Sequence, residues 1–220
     1  MNRFQRKKSF LFDLDGTLVD SSRLHERALR EALQDYAPQI LGRFDYESLK
    51  GKSTAEALVH LGVPPGALDS LVHEKQQRYR AAVRAGELRL TPGSRDVLEL
   101  LEARRDRMFV VTGGSRRSAA AALESTGIHG FFEGVVSAED VPCGKPAPDG
   151  FLFCMKRFRI PAPEALGIED SANGLEACQE AGLDAVLVNN ARLAKEYQPA
   201  FASLIEFREA LIAQAEAVLG

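Results

Sequence analysis

Two aspartates one residue apart, Asp13 and Asp15, close an apolar run in the stretch "SFLFDLDGTLVDSS". Burying carboxylates this close together is costly unless a cation or a dense hydrogen-bond network compensates them. Other chemistry-bearing residues stand at the ends of later apolar runs: Thr112-Gly113-Gly114, then Gly144-Lys145-Pro146, then Glu169-Asp170-Ser171. Asp13, Asp15 and Asp170 offer hard oxygen ligands of the kind magnesium takes. Thr112, the N–H groups of the glycine turn and Lys145 supply donors and a positive charge for phosphate oxygens. Carboxylates alone repel a phosphate dianion, and a metal ion with the lysine reverses that sign. Together these residues describe a metal-and-phosphate site.

The elements that must position them follow from periodicity. Apolar runs at 9–14, 107–112, 132–137, 165–170 and 185–189 are continuous rather than alternating, as in strands covered on both faces. Helical patterns lie between them, in "SRDVLELLEARR", "SRRSAAAALESTG" and "SANGLEACQEAG". Strands alternating with helices predict an α/β fold, a doubly wound, Rossmann-like parallel sheet. In such sheets ligands bind beyond the carboxyl ends of the strands, where all the residues above fall. Strand alternation also predicts Asp13 and Asp15 on one face. Between Leu24 and Gly86 the pattern changes to helices alone, with Leu68, Leu71, Val72, Tyr79 and Val83 on one stripe. The expected organisation is a core of residues 1–20 and 87–220 with a helical cap domain, 21–86, inserted after the first strand.

Composition narrows the partners. The net charge of −3 and 45% hydrophobic content are ordinary for a globular chain and indicate neither a nucleic-acid nor a membrane partner. The longest apolar runs are too short for a transmembrane helix. Cys143, Cys154 and Cys178 lack metal or disulfide spacing and read as reduced thiols of a cytoplasmic protein. The basic run Arg3, Arg6, Lys7, Lys8 reads as a solvated terminus.

The segments "DLDGTLVDS", "VVTGGS", "GKPAPD" and "GIEDSANG" resemble, in order, the four motifs of the haloacid dehalogenase-like superfamily. The similarity is to its phosphotransferase branch, in the subgroup of β-phosphoglucomutase and phosphoglycolate phosphatase with an α-helical cap. The resemblance implies Asp13 as nucleophile and Asp15 as general acid and base. It implies Mg²⁺ held by the Asp13 carboxylate, the Asp15 backbone carbonyl, Asp170 and Glu169. Thr112, Gly113 and Lys145 would contact the phosphoryl group. Glu169-Asp170 also has a simpler use, capping the helix that begins near Ser171.

In the cap, His25 falls where relatives place a hinge histidine beside the acid/base aspartate; it is equally compatible with an ordinary helix surface. Lys50, Gly51 and Lys52 fall in the loop that meets substrate in this subgroup, or else on a solvated turn. Thr54 stands where the mutase carries a phosphate-gripping arginine, which favours transfer to water. The expected function is a Mg²⁺-dependent phosphatase for a small phosphorylated metabolite of phosphoglycolate or sugar-phosphate type, acting as monomer or homodimer. The alternatives are a hexose-phosphate mutase, a phosphonate hydrolase, or a non-catalytic binding module. The stretches 19–22 and 85–90 would be hinges for cap closure.

Overall fold

The structure, a computed structural model, describes residues 6–49 and 52–219. The chain runs through β1 (Ser9–Phe12), β2 (Val19–Asp20), α1 (Ser22–Tyr36), α2 (Thr54–His60), α3 (Pro65–Arg84) and β3 (Arg89–Leu90). It continues with α4 (Ser94–Ala103), β4 (Arg107–Val111), α5 (Arg116–Ser125), β5 (Gly134–Val136), α6 (Asp149–Phe158) and β6 (Ala165–Glu169). It ends with α7 (Ala172–Glu180), β7 (Asp184–Val188), β8 (Ala200–Phe201) and α8 (Leu204–Leu219).

Six strands form one sheet in the order β5-β4-β1-β6-β7-β8, with every pairing parallel. All four β1 residues are buried, because β4 and β6 flank it and helices cover both faces. Its side chains alternate between two layers. Phe10 and Phe12 pack with α4, α5 and α8 residues such as Leu98, Leu123 and Phe207. Leu11 packs on the opposite face with Phe151 of α6 and Cys178 of α7. Each such side chain contributes about 1.5–3 kcal/mol on burial, so the strand that delivers Asp13 is held on both faces. Register then aligns the site, since Phe12 stands opposite Val110 of β4 and Ile168 of β6. The three strands therefore end level, and the crevice falls where the chain order reverses about β1.

The helical insert packs differently. Its outer part closes over its own apolar cluster, with Leu33, Leu58 and Leu71. The ends of α1 and α3 nearest the sheet join the main core through Leu24, Tyr79 and Val83. A capping box starts α2: Ser53 accepts from the Glu56 N–H, and the Glu56 carboxylate accepts from the Ser53 N–H. The chain leaves and re-enters through an antiparallel pair, β2 with β3, in which Val19 faces Leu90.

Two sequence expectations need correction. Lys7 is not a solvated tail residue: it is 2% exposed, 2.6 Å from Asp184, and donates to the Pro163 carbonyl. The sheet also gains β8, a two-residue strand too short to carry a periodic signal. No helix among the described residues is long and apolar enough to cross a membrane.

Candidate active site

The residues beyond the strand ends meet at one edge of the sheet. Asp13 continues the β1 ladder by one residue, its N–H donating to the Ile168 carbonyl at 2.9 Å. Lys145, from the loop before α6, donates to Asp13 Oδ1 at 2.6 Å and to the Val111 carbonyl at 2.9 Å. Its ammonium also lies 2.5 Å from Glu169 Oε1. Burial opposes the charge on Lys145, yet Asp13 and Glu169 outweigh it and keep the ammonium firmly protonated.

One lysine cannot balance the acids around it. Asp13, Glu169 and Asp170 bring carboxylate oxygens within 4.8 Å of one another. Burial and the Asp13 charge push Glu169 up to about 8 against the pull of Lys145. Asp170 rises to about 7 through burial, Asp13 and Asp15. Asp13 is also raised, chiefly by burial, with Lys145 opposing. A cluster of buried oxygen donors with surplus negative charge is one that a hard divalent cation fits.

The backbone is shaped around these carboxylates at two glycines. Gly16 adopts a left-handed φ of 91°, and a Cβ there would collide with the Asp170 carboxylate. A Cβ on Gly174 would collide with the Glu169 carboxylate, which lies against the first turn of α7. Capping of α7 falls to Ser171, whose hydroxyl accepts from the Gly174 N–H, so Glu169 and Asp170 are free of that task.

Asp15 takes its hydrogen-bond partners from the helical insert. Strand geometry stops at Phe12, so alternation does not govern Asp15, which sits in the turn closed by the Gly16 N–H to Val19 carbonyl bond. Its Oδ1 lies 3.1 Å from His25 Nε2 on α1 and 3.5 Å from the Tyr79 hydroxyl on α3. The His25 ring stacks on Tyr79 at 4.0 Å and 5°. Lys75 Nζ is 2.8 Å from His25 Nδ1 and 3.2 Å from Thr54 Oγ1. An ammonium only donates, so Nδ1 must accept, and a neutral ring then carries its proton on Nε2, facing Asp15. Burial and the Lys75 charge lower the His25 pKa, consistent with that neutral ring. Burial opposes the Asp15 charge, but His25, Ser21 and Lys75 overcome it and hold the carboxylate at about 2.

The structure thus brings Asp13, Glu169, Asp170 and Lys145 together, and joins His25 to Asp15. Thr112 is buried beside them, its Oγ1 accepting from the Gly114 N–H at 2.9 Å, while Gly113 is exposed. Lys52 is exposed and contacts none of these side chains; Lys50 and Gly51 lie outside the described residues.

Three contributors were not read from the sequence. Asn189, at φ 58°, donates to the Gly16 and Thr17 carbonyls, and Asn190 donates to the Asp170 carbonyl. Lys75, only 8% exposed, is the third. Its signal was available: it sits at helical spacing between Leu71 and Tyr79, a cation on an otherwise apolar stripe.

Comparison with known proteins places the chain in a family. Residues 10–188 match the family of haloacid dehalogenase-like hydrolases. The chain is 32% identical over 191 residues to the fructose-1-phosphate phosphatase YqaB of Escherichia coli, covering 83% of this chain and 97% of that protein. It is 29% identical over 207 residues to a phosphoglycolate phosphatase of Pseudomonas savastanoi, covering 88% and 75%. Among solved structures, CbbY of Rhodobacter sphaeroides with phosphate superposes at a TM-score of 0.80 and 25% identity, over 91% of this chain and 96% of the other. A β-phosphoglucomutase of Clostridium difficile, at 22% identity, shares the fold with the same score. The chain belongs to the haloacid dehalogenase-like hydrolase family, as an enzyme whose relatives include sugar-phosphate and phosphoglycolate phosphatases.

Proposed function

We propose that this enzyme is a magnesium-dependent phosphatase of small phosphorylated metabolites, working through a phosphorylated Asp13. The observation that carries the reading is the opposite bonding of the two aspartates. Asp13 is gripped by Lys145 on the core side, and Asp15 by His25 on the cap side. Neighbouring carboxylates in different environments take different roles.

In the proposed reaction an Asp13 oxygen attacks phosphorus in line while the bond to the substrate oxygen breaks. Lys145, Thr112 and the Gly113 N–H receive the phosphoryl oxygens. The leaving oxygen takes a proton from Asp15. Asp15 is ionised in the resting arrangement, so it must first acquire that proton, and the Nε2–H of His25 at 3.1 Å is the adjacent source. Lys75, lowered to about 8 by burial against the pull of Asp15, passes a proton to Nδ1 in the same step, so the ring stays neutral as its Nε2 proton moves to Asp15. Water then attacks the phosphoaspartate as Asp15 accepts its proton, releasing phosphate and restoring Asp13. Asp13, Asp170, Glu169 and the Asp15 carbonyl would hold Mg²⁺, which when bound offsets the charge of the transferring phosphoryl group.

The inserted helices, 21–86, would act as the cap over this site, hinged at the β2–β3 pair. Thr54 spends its hydroxyl on Lys75, leaving no guanidinium there to hold a second phosphate, which favours water as acceptor over a mutase. The test is phosphate release from a panel containing fructose 1-phosphate and phosphoglycolate with Mg²⁺. Activity should vanish with chelator, return with Mg²⁺, and fall by about a thousandfold or more in Asp13→Asn. Full activity in Asp13→Asn would overturn the assignment of the nucleophile.

A further inference from the structure

A second charged feature lies away from the acids. Between α3 and α5 runs a groove of about 1020 Å³, lined by Arg80 and Arg84 of α3, by Arg117 of α5, and by Ala81, Ala120 and Ala121. A smaller hollow of about 260 Å³ shares Arg80 and Arg117 and extends to Ser115 and Arg116 at the start of α5. None of Asp13, Asp15, Lys145, Glu169 or Asp170 lines either space.

The arginines here are treated unequally. Arg78, on the same helix, is surrounded by carboxylates: Asp35 at 2.6 Å, Glu74 at 2.7 Å and Glu31 at 3.7 Å. Arg116 is paired with Asp140 at 2.7 Å. Arg80, Arg84 and Arg117 have no carboxylate within 4.0 Å among the described residues, although Glu124 stands on the groove wall and Glu74 is committed to Arg78. Half-burial, then the charges of Arg117 and Arg84, disfavour the Arg80 cation, as expected where like charges converge without a counter-ion. The chain as a whole carries −3, so this is a local concentration of positive charge on an acidic protein.

We propose that this groove binds a small, multiply phosphorylated anion at a site separate from the reaction centre. Guanidinium groups present planar forks of donors that match phosphate oxygens in pairs. Three of them converging from two helices suit more than one phosphoryl group. The volume is that of a metabolite-sized pocket, for which about 300–1,000 Å³ is usual. Since α3 belongs to the inserted segment and α5 to the sheet-bearing core, an anion held by Arg80, Arg84 and Arg117 ties the two together.

The test is calorimetric titration with inorganic tripolyphosphate in chelator, where the metal-free acid cluster repels anions. One site per chain is expected, with affinity falling as ionic strength rises. Arg80→Gln/Arg117→Gln should weaken binding about a hundredfold and Arg84→Gln about tenfold, at one charge-assisted interaction per arginine. Lys145→Ala should leave it unchanged. Unaltered circular dichroism and melting of the exposed Arg84→Gln variant exclude a folding artefact. Absence of millimolar binding, equal binding by the arginine variants, or loss of binding in Lys145→Ala would each overturn the proposal. The last would place the anion in the acid cluster instead.

Discussion

The core side and the cap side of the site solve the problem of a buried carboxylate in different ways. On the core side Asp13 is met by opposite charge, with Lys145 at 2.6 Å and further acids crowding behind it. On the cap side Asp15 is met by a chain of hydrogen bonds through His25 to Lys75, with Tyr79 stacked alongside. The first arrangement is anchored by strand ends and the loops that follow them, so backbone register fixes it. The second spans α1, α2 and α3, so helix packing fixes it. On the proposed reading, the group that holds charge in place sits on the rigid ladder, and the group that exchanges a proton sits among partners able to donate and accept. The contrast yields measurable consequences on each side.

Removing the core cation should have the largest effect. Lys145→Ala leaves Asp13 and Glu169 facing each other without a counter-charge, and phosphate release should fall by about a thousandfold while far-UV circular dichroism keeps the native shape. Next comes the packing that holds the cap side together. Leu58 is fully buried in the insert's own cluster, and Leu58→Ala should cost about 2–5 kcal/mol in urea unfolding. That loss should leave the Asp13–Lys145 pair undisturbed, which would separate the two sides experimentally.

Lys75→Met should lower kcat by about tenfold to a hundredfold, at or below the low end of the roughly 10²–10⁴-fold that a directly acting acid or base contributes, because Lys75 acts through His25. It should also change the pH dependence of stability. The unfolded lysine keeps its proton to 10.5, whereas burial makes the folded one release it near 8. Between those values the unfolded chain binds more protons, so wild-type stability should rise with pH relative to Lys75→Met. Melting temperatures of both proteins across that interval check the sign. Smallest of all, Thr54→Val removes the 3.2 Å bond to Lys75, worth about 0.5–1.5 kcal/mol, and should lower kcat only severalfold.

The same contrast explains what could be read in advance. The core residues sit at the ends of apolar runs, and a parallel sheet gathers strand ends at one edge whatever the loop lengths. Asp13, Thr112, Lys145, Glu169 and Asp170 were therefore legible as a set. Asp15 lies beyond the last residue of the strand, in a turn, so its carboxylate is placed by that turn rather than by alternation, while the spacing pointed to the residue. Lys75, Asn189 and Asn190 escaped for a different reason. Lys75 stands out as a cation on an apolar stripe, but the partners of all three depend on which helix face or loop meets the site, and pairing across tens of residues leaves no local period. Lys7 shows the converse error, since a basic run near a terminus reads as solvated until Asp184 is brought beside it by the sheet.

The central claim is that Asp13 carries the phosphoryl group in mid-reaction. Acid quenching during turnover, followed by borohydride reduction, converts an acyl phosphate on an aspartate into homoserine. Peptide mass mapping should then find homoserine at position 13 in the wild type and in no other aspartate. Active enzyme that yields no homoserine at position 13, or yields it at Asp15 or Asp170, would contradict the account.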